Sequence, residues 1–356
     1  MKTRLEAIRT VLTSGDVSVN QRYVTARRGM KELRGIHDDM WKMPGRMKAR
    51  KYQLTKDADT ERLLGSKMGI GTLDVAGEFQ KNIPVPDLST VTWKIEAEIN
   101  VSASQDQETF VNSIALPSPG VFLLSDYNNN CVKLMDVTTR NVTSRLQLPG
   151  TPWDVCALPD DQAAVTLRDK SMIHLLSTKG GQLLRGKEIK VSSNGRGIGY
   201  YNNRLYVSYE SNPRIEVMTL DGHIIRTFQT DDGRQTFQRP LYLSVSATTP
   251  PTLYVSDYNA HTVHQLSLDG KVLREYSDKK LEYPYSVVAV DPGQLLVCGP
   301  TSHNVMLLTE RDGTMTEVLG QKDGLTFPCS MSFCPNTRTI VVGMFRNDSL
   351  KVFNAN

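Results

Sequence analysis

From Val111 onward the apolar positions fall into short runs that recur at a nearly constant interval. An apolar residue opening a strand-like run stands at Ile114, Val155, Ile198, Leu243, Val287 and Met331, at spacings of 41, 43, 45, 44 and 44 residues. Four copies carry Pro three positions earlier, at Pro152, Pro240, Pro284 and Pro328. A second run follows each first one, as in Val121-Phe122-Leu123-Leu124-Ser125, Leu205-Tyr206-Val207-Ser208 or Ile340-Val341-Val342-Gly343, short and rich in β-branched residues. After a polar turn comes a third, such as Val132-Lys133-Leu134-Met135 or Val263-His264-Gln265-Leu266. Asp221-Gly222, Asp269-Gly270 and Asp312-Gly313 supply tight turns into a fourth, because Asp-Gly tolerates the positive φ such turns need. Four antiparallel strands per copy, six copies in all, predict a mainly β fold, a six-bladed β-propeller. The last copy ends at Asn354, after its third strand; Trp93–Val101 alternates in the way needed to supply the missing outermost strand and latch the ring.

The N-terminal quarter has a different rhythm. Val19, Tyr23, Ala26, Met30, Leu33, His37 and Met40 follow the alternating steps of four and three of a coiled-coil seam, stopped by Pro44-Gly45. Leu5, Ile8 and Leu12 mark an earlier helical piece, and the spacing predicts a further helix from Met47 to Leu64. Gly69, Gly71, Gly77, Pro84 and Pro86 read as an extended connection. The expected organisation is therefore an α-helical, coiled-coil segment over 1–65, a linker over 66–92 and the propeller over 93–356, with the helices pairing two copies into a homodimer.

Charge follows the same division. The net charge of +4 splits into 18 Lys+Arg against 11 Asp+Glu in residues 1–95 and 24 against 27 in residues 96–356. The positive excess belongs to the arm, where Arg and Lys fit the solvated faces of helices, and so argues against strong nonspecific binding of nucleic acid by the propeller. No run is long and apolar enough for a membrane span, and the first residues lack an apolar signal core. Five cysteines without a CxxC pair suggest neither disulfides nor a zinc module. A cytoplasmic protein without a cofactor is expected.

The turn between second and third strands resembles the NHL repeat. Ser125-Asp126-Tyr127-Asn128-Asn129-Asn130-Cys131-Val132 and Ser256-Asp257-Tyr258-Asn259-Ala260-His261-Thr262-Val263 are the nearest copies; Asn129, Asn212 and Asn347 hold its Asn place and Arg214 its basic place. A coiled coil followed by an NHL-like propeller is similar to the C-terminal part of the tripartite-motif ubiquitin ligases. The resemblance implies the dimerising, target-recognising half, with ligase activity confined to relatives that carry a RING module; this chain has no Cys/His cluster for one. Some relatives bind proteins on the propeller face and others single-stranded RNA, so a protein target is expected, RNA is the alternative, and a metal-dependent propeller enzyme is a third and lesser reading.

Propellers gather side chains from every repeat at the face bearing these turns. There the sequence places Tyr127, Trp153, Arg168, Arg196, Tyr209, Tyr258, His261, Tyr285, His303, Phe345 and Arg346, aromatic and cationic groups able to anchor a peptide or stack on bases. His261 and His303, at equivalent turns of neighbouring copies, are the most metal-like pair; two histidines make too thin a site, and neither a metal nor a catalytic residue is assigned.

Overall fold

The structure, a computed structural model, describes residues 87–355 except 232, 247, 249, 291 and 292, together with the strands Arg50–Thr55 and Thr72–Glu78. The chain divides into two compact units, Met1–Asn82 and Ile83–Asn356.

In the first unit Arg50–Thr55 pairs antiparallel with Thr72–Glu78. This corrects the helix expected over 47–64: Arg50-Lys51-Tyr52-Gln53-Leu54-Thr55 alternates polar and apolar residues with the period of a strand. Thr72–Glu78 likewise falls within the stretch expected to be a linker. The coiled-coil seam from Val19 to Met40 lies outside the described residues, and no α-helix occurs among the described residues.

The second unit is a six-bladed propeller. Blade 1 comprises Val111–Ser118, Val121–Asp126, Cys131–Asp136 and Asn141–Gln147 in that order. Blade 2 comprises Pro152–Leu158, Gln162–Leu167, Met172–Ser177 and Leu184–Lys190. Blade 3 runs Gly195–Tyr201, Arg204–Tyr209, Arg214–Thr219, Ile224–Phe228; blade 4 runs Pro240–Val245, Thr252–Asp257, Thr262–Ser267, Val272–Tyr276. Blade 5 runs Val287–Val290, Gln294–Gly299, Asn304–Thr309, Met315–Leu319. Blade 6 takes Pro328–Cys334, Thr339–Met344 and Ser349–Ala355 from the C-terminus and its outermost strand, Trp93–Asn100, from the beginning of the unit. The register of that latch runs from Ser349 opposite Asn100 to Ala355 opposite Trp93.

The core is divided among the seams between blades. Leu123, Val132 and Leu134 of blade 1 pack on Val155, Val165 and Leu176 of blade 2, while Phe122, Leu124 and Met135 face Val341, Leu350 and Val352 of blade 6. Successive residues of one strand thus enter successive seams. Because both faces of each sheet are covered, the second strands read as continuous apolar runs instead of alternating. Four further clusters fill the remaining seams, so the ring closes without an uncovered sheet face.

One interior position is ionisable in most blades. The residue opposite Leu124, Val165, Val207, Val255 and Val342 is Lys133, His174, Glu216, His264 and Lys351, all buried; blade 5 places Met306 there. In blade 1 the Lys133 ammonium lies 2.6 Å from Asp106 and 2.7 Å from Asp126 and donates to the Val101 carbonyl at 2.8 Å. In blade 4 His264 Nε2 is 3.6 Å from Asp257. Asp126 and Asp257 are the acidic residues of the two nearest NHL-like copies. Each also accepts backbone N–H groups of the incoming loop, Asp126 from Phe110 and Asp257 from Gln238 and Arg239. The repeated Asp therefore ties the loop to the blade interior.

Candidate recognition face

The innermost strands carry a β-bulge at the same place in five blades: between Val111 and Ser113, Pro152 and Val155, Gly195 and Ile198, Pro240 and Tyr242, and Pro328 and Ser330. A bulge interrupts the ladder and re-aims a side chain. Two residues before each repeated apolar position stand Asn112, Trp153, Arg196, Leu241, Tyr285 and Cys329, one per blade. Hydroxyls of the preceding blade take up carbonyls that the bulges release: Ser125 donates to the Trp153 carbonyl at 3.1 Å, Thr166 to that of Arg196 at 2.6 Å, and Ser208 to that of Leu241 at 3.0 Å. These bonds orient the first tier of side chains. The residue following each second strand forms the other tier: Tyr127, Arg168, Glu210, Tyr258, Pro300 and Phe345.

The two tiers meet in a row of aromatic rings. Phe345 lies 4.9 Å from Phe110, which is 5.6 Å from Tyr127; Tyr127 is 5.9 Å from Trp153. Trp153 stacks on Tyr242 at 6.2 Å and is tilted against Tyr285 at 6.3 Å. From Tyr285 the row continues through Tyr258, Tyr283 and His261 at 6.2, 4.8 and 4.2 Å. Tyr242 reaches across the ring, its hydroxyl donating to the Asn112 carbonyl at 2.9 Å. Guanidinium groups lie along the same row: Arg196 is 4.1 Å and Arg168 5.4 Å from the Trp153 ring centroid, Arg239 4.9 Å from Tyr258 and Arg346 5.3 Å from Phe345. Arg168 Nη1 donates to the Tyr127 hydroxyl at 2.6 Å. Glu210 is shared, bonded to Arg196 and 3.2 Å from Arg239 Nε. Burial opposes its charge, but hydrogen bonds from both arginines and their positive charge outweigh that and hold its carboxyl below the usual range. Burial presses the pKa of Arg196 downward against the pull of Glu210.

Nine of the eleven residues expected on the face join this row or touch it: Tyr127, Trp153, Arg168, Arg196, Tyr258, His261, Tyr285, Phe345 and Arg346. Tyr209 does not. It is the last residue of its strand, in the register of Asp126 and Asp257, and is fully buried in the seam between blades 2 and 3 with Arg214 4.1 Å over its ring. The face residue of blade 3 is its neighbour Glu210, because one step along a strand reverses the side a residue points to. His303 stands apart from the row, against Phe327 at 4.4 Å.

The resemblance between His261 and His303 has a backbone origin. Both adopt positive φ, 54° and 56°, at a turn where other blades use Asn130, Ser171 and Asn212, and Asn and His are residue types that tolerate this region. Each Nδ1 then accepts a backbone N–H of the loop to the next blade, from Tyr283 at 3.3 Å and from Phe327 at 2.9 Å. Among the described residues the group with metal-ligand spacing is instead Asp106, Asp126 and Cys131. The Lys133 ammonium, in contact with both carboxylates, already supplies the positive charge there.

Asp154, between Trp153 and the repeated apolar residue, binds three innermost strands together. Its carboxyl accepts from Ser113 Oγ at 2.5 Å, Val155 N at 2.9 Å and Ile198 N at 2.7 Å. Burial pushes it up to about 7 despite these donors. A folded-state value above the unfolded one near 3.8 gives a contribution fully present below pH 3.8 and lost as pH rises through 7. Stability of the wild type relative to Asp154→Asn, read by urea unfolding, should therefore fall by about 4 kcal/mol between pH 4 and pH 7.5. The variant carries a constant offset; parallel pH profiles would remove Asp154 as the titrating group.

Comparison with known proteins supports the architecture. No model of a known family matches the chain, and no curated protein matches it. Among solved structures, a streptogramin B lyase is similar over 74% of this chain and 98% of its own, with 15% identity and a TM-score of 0.55. A catalytically inactive histidine-to-alanine variant of virginiamycin B lyase from Staphylococcus aureus, with quinupristin, gives 14% identity and a TM-score of 0.56 over 74% of this chain and 99% of that one. A structural-genomics protein of unknown function from Bacteroides thetaiotaomicron gives 13% identity and a TM-score of 0.62 over 81% and 80%. At such identities the likeness shows the propeller fold alone, and the resemblance to tripartite-motif proteins finds no counterpart among these matches. Among the described residues no helix is long and apolar enough to cross a membrane.

Proposed function

We propose that the propeller is a noncatalytic recognition module that binds a protein segment across the aromatic row, as the target-binding half of a tripartite-motif-type ligase would. The row itself carries this reading: aromatic rings from blades 1, 2, 4, 5 and 6, interleaved with Arg that includes Arg196 of blade 3, have the composition of binding hot spots. Its far end is open, Phe345 being 49% exposed. Catalysis of the kind named for the lyase neighbours draws no support from the histidines here. His261 and His303 spend Nδ1 on loop backbone, and His174 and His264 are buried inside blades.

The test is selection of displayed random peptides on the full chain, with a parallel selection of single-stranded RNA. Peptides are expected to be recovered, and Phe345→Ala or Tyr258→Ala to weaken the best of them by about 2 kcal/mol in calorimetry. Recovery of RNA alone, with affinity falling steeply in salt, would replace the protein reading by the nucleic-acid one.

A further inference from the structure

Buried polar groups left without a partner are uncommon, and each asks what is missing. Half of the ten orphan atoms among the described residues stand beside a group of opposite capacity. Glu216 Oε2 and the Tyr209 hydroxyl share one neighbourhood, and the His264 nitrogens lie 3.3 and 3.6 Å from Glu275 and Asp257. At the centre of the aromatic row the orphans are of one kind. Arg196 Nε, Arg196 Nη1 and Trp153 Nε1 are buried donors without an acceptor, on two residues stacked 4.1 Å apart. Arg196 is only 2% exposed, yet Glu210 occupies just one of its nitrogens, Nη2.

The charge count points the same way. Arg168, 5.4 Å from the Trp153 centroid, repels Arg196, and Arg239 draws on the same Glu210. Arg196 and Arg239 thus share one carboxylate, while Arg168 is bonded to the neutral Tyr127 hydroxyl. Asp154, the acid next to Trp153 in the chain, has its oxygens turned to Ser113, Val155 and Ile198. The Arg196 backbone is fixed by Thr166 Oγ1 and by its bulge, so the guanidinium is held in place before any ligand arrives.

We infer that Arg196, Arg168 and Trp153 form an anchor for a carboxylate of the bound segment, set beside the Trp153 and Tyr285 rings. This rests on the reading of the face as a recognition surface and adds its specificity: the segment presents a carboxylate next to an aromatic or large apolar side chain. Donors on two edges of Arg196 and on the Trp153 indole suit an oxygen acceptor, and a charged acceptor forms the stronger bond. The same ligand charge offsets the repulsion between the two guanidiniums. The carboxylate can come from a chain terminus or from an Asp or Glu side chain.

The probes are small molecules, read by the indole N–H signal of Trp153 in the 15N-labelled full chain, which has three tryptophans. Loss of the signal in Trp153→Phe assigns it. N-acetylphenylalanine carries a terminal carboxylate beside a ring, N-acetylaspartyl-phenylalaninamide a side-chain one, and N-acetylphenylalaninamide neither. Saturable shifts with one or both carboxylate probes are expected, and which of them binds identifies the source. The amide should need about tenfold more ligand, and Arg196→Gln should weaken the carboxylate probes by about tenfold or more. Arg168→Gln, at a partly exposed position, provides the second variant should Arg196→Gln not fold as judged by its melt. Equal shifts with acid and amide would overturn the anchor while leaving the face as a purely aromatic recognition surface. Shifts with inorganic phosphate but neither carboxylate would overturn it in favour of a phosphate ligand. Silence with every probe would also overturn it, and the Tyr258→Ala peptide measurement then judges the face by itself.

Discussion

Deleting Trp93–Asn100 is expected to abolish the cooperative thermal transition of the propeller. Trp93, Ile99 and the adjoining Val101 are buried in seams on either side of blade 6, with Trp93 edge-on to Phe333 at 6.4 Å. Lys351 and Asn354 of the third strand lose Glu98 and Glu96, and the Ser349–Ala355 backbone is left as an open edge. Burying each large apolar side chain contributes about 2 kcal/mol, before the ladder of hydrogen bonds is counted. The sum approaches the 5–15 kcal/mol that typically separates folded from unfolded domains. A milder pair, Trp93→Ala with Ile99→Ala, should lower unfolding free energy by about 5 kcal/mol or more in denaturant titrations. Retention of a single wild-type-like melt after the deletion would mean that the ring holds without its latch.

Replacing Lys133 by Met is expected to cost about 3–5 kcal/mol, although the new side chain is apolar, of similar length and fully enclosed. The reason is what remains. Asp106 and Asp126 both depend on the ammonium; burial disfavours charge on Asp106, yet its hydrogen bond with Lys133 and the nearby positive charge hold it below the ordinary carboxylate range. Without Lys133 two acids face each other in the interior, Asp106 keeping Arg145 at 2.9 Å and Asp126 losing its ammonium partner. The triple replacement Lys133→Met, Asp106→Asn, Asp126→Asn should recover much of the loss, since a buried ion pair replaced as a unit is far less costly than a broken one. Equal losses in the single and triple variants would show that packing around the Lys133 stem, not charge, sets the cost.

The ring was legible because its physics is periodic. Every second strand enters two apolar seams, so runs such as Phe122-Leu123-Leu124 recur wherever a blade does, and the missing fourth strand at Asn354 identified Trp93–Asn100 as its complement. Outside the repeats this leverage fails. Arg50–Thr55 carries the same helix-permitting residues as its neighbours, and its strand state depends on Thr72–Glu78, which lies in a glycine-containing stretch. On the face, choosing residues by chemistry found three of the four arginines, missing Arg239, and most of the rings, but selected Tyr209 where the register selects Glu210. Tyr242 and Asn112, which bridge opposite sides of the ring through the Tyr242 hydroxyl, were legible only by stepping back one and two positions from the repeated apolar residue. The buried Lys133, His174, Glu216 and Lys351 were hidden because each interrupts an otherwise apolar pattern, and the partners of Lys133, His174 and Lys351 come from another strand or loop, while Glu216 pairs with Arg214 on its own strand.

The bulges separate what this fold must keep from what it can change. At Asn112, Trp153, Arg196, Leu241 and Cys329 the backbone has left the ladder, and the packing that holds neighbouring blades together is made mainly by the strands outside it. The separation is sharpest at Asn112 and Arg196, which stand outside the apolar clusters, whereas Trp153 and Leu241 also pack in the cluster of blades 4 and 5, so a change there is felt in a seam as well. A lineage of such proteins could rewrite its ligand blade by blade most freely where the mouth residue stands outside the apolar clusters, and would have to repack a seam wherever it changed Trp153 or Leu241.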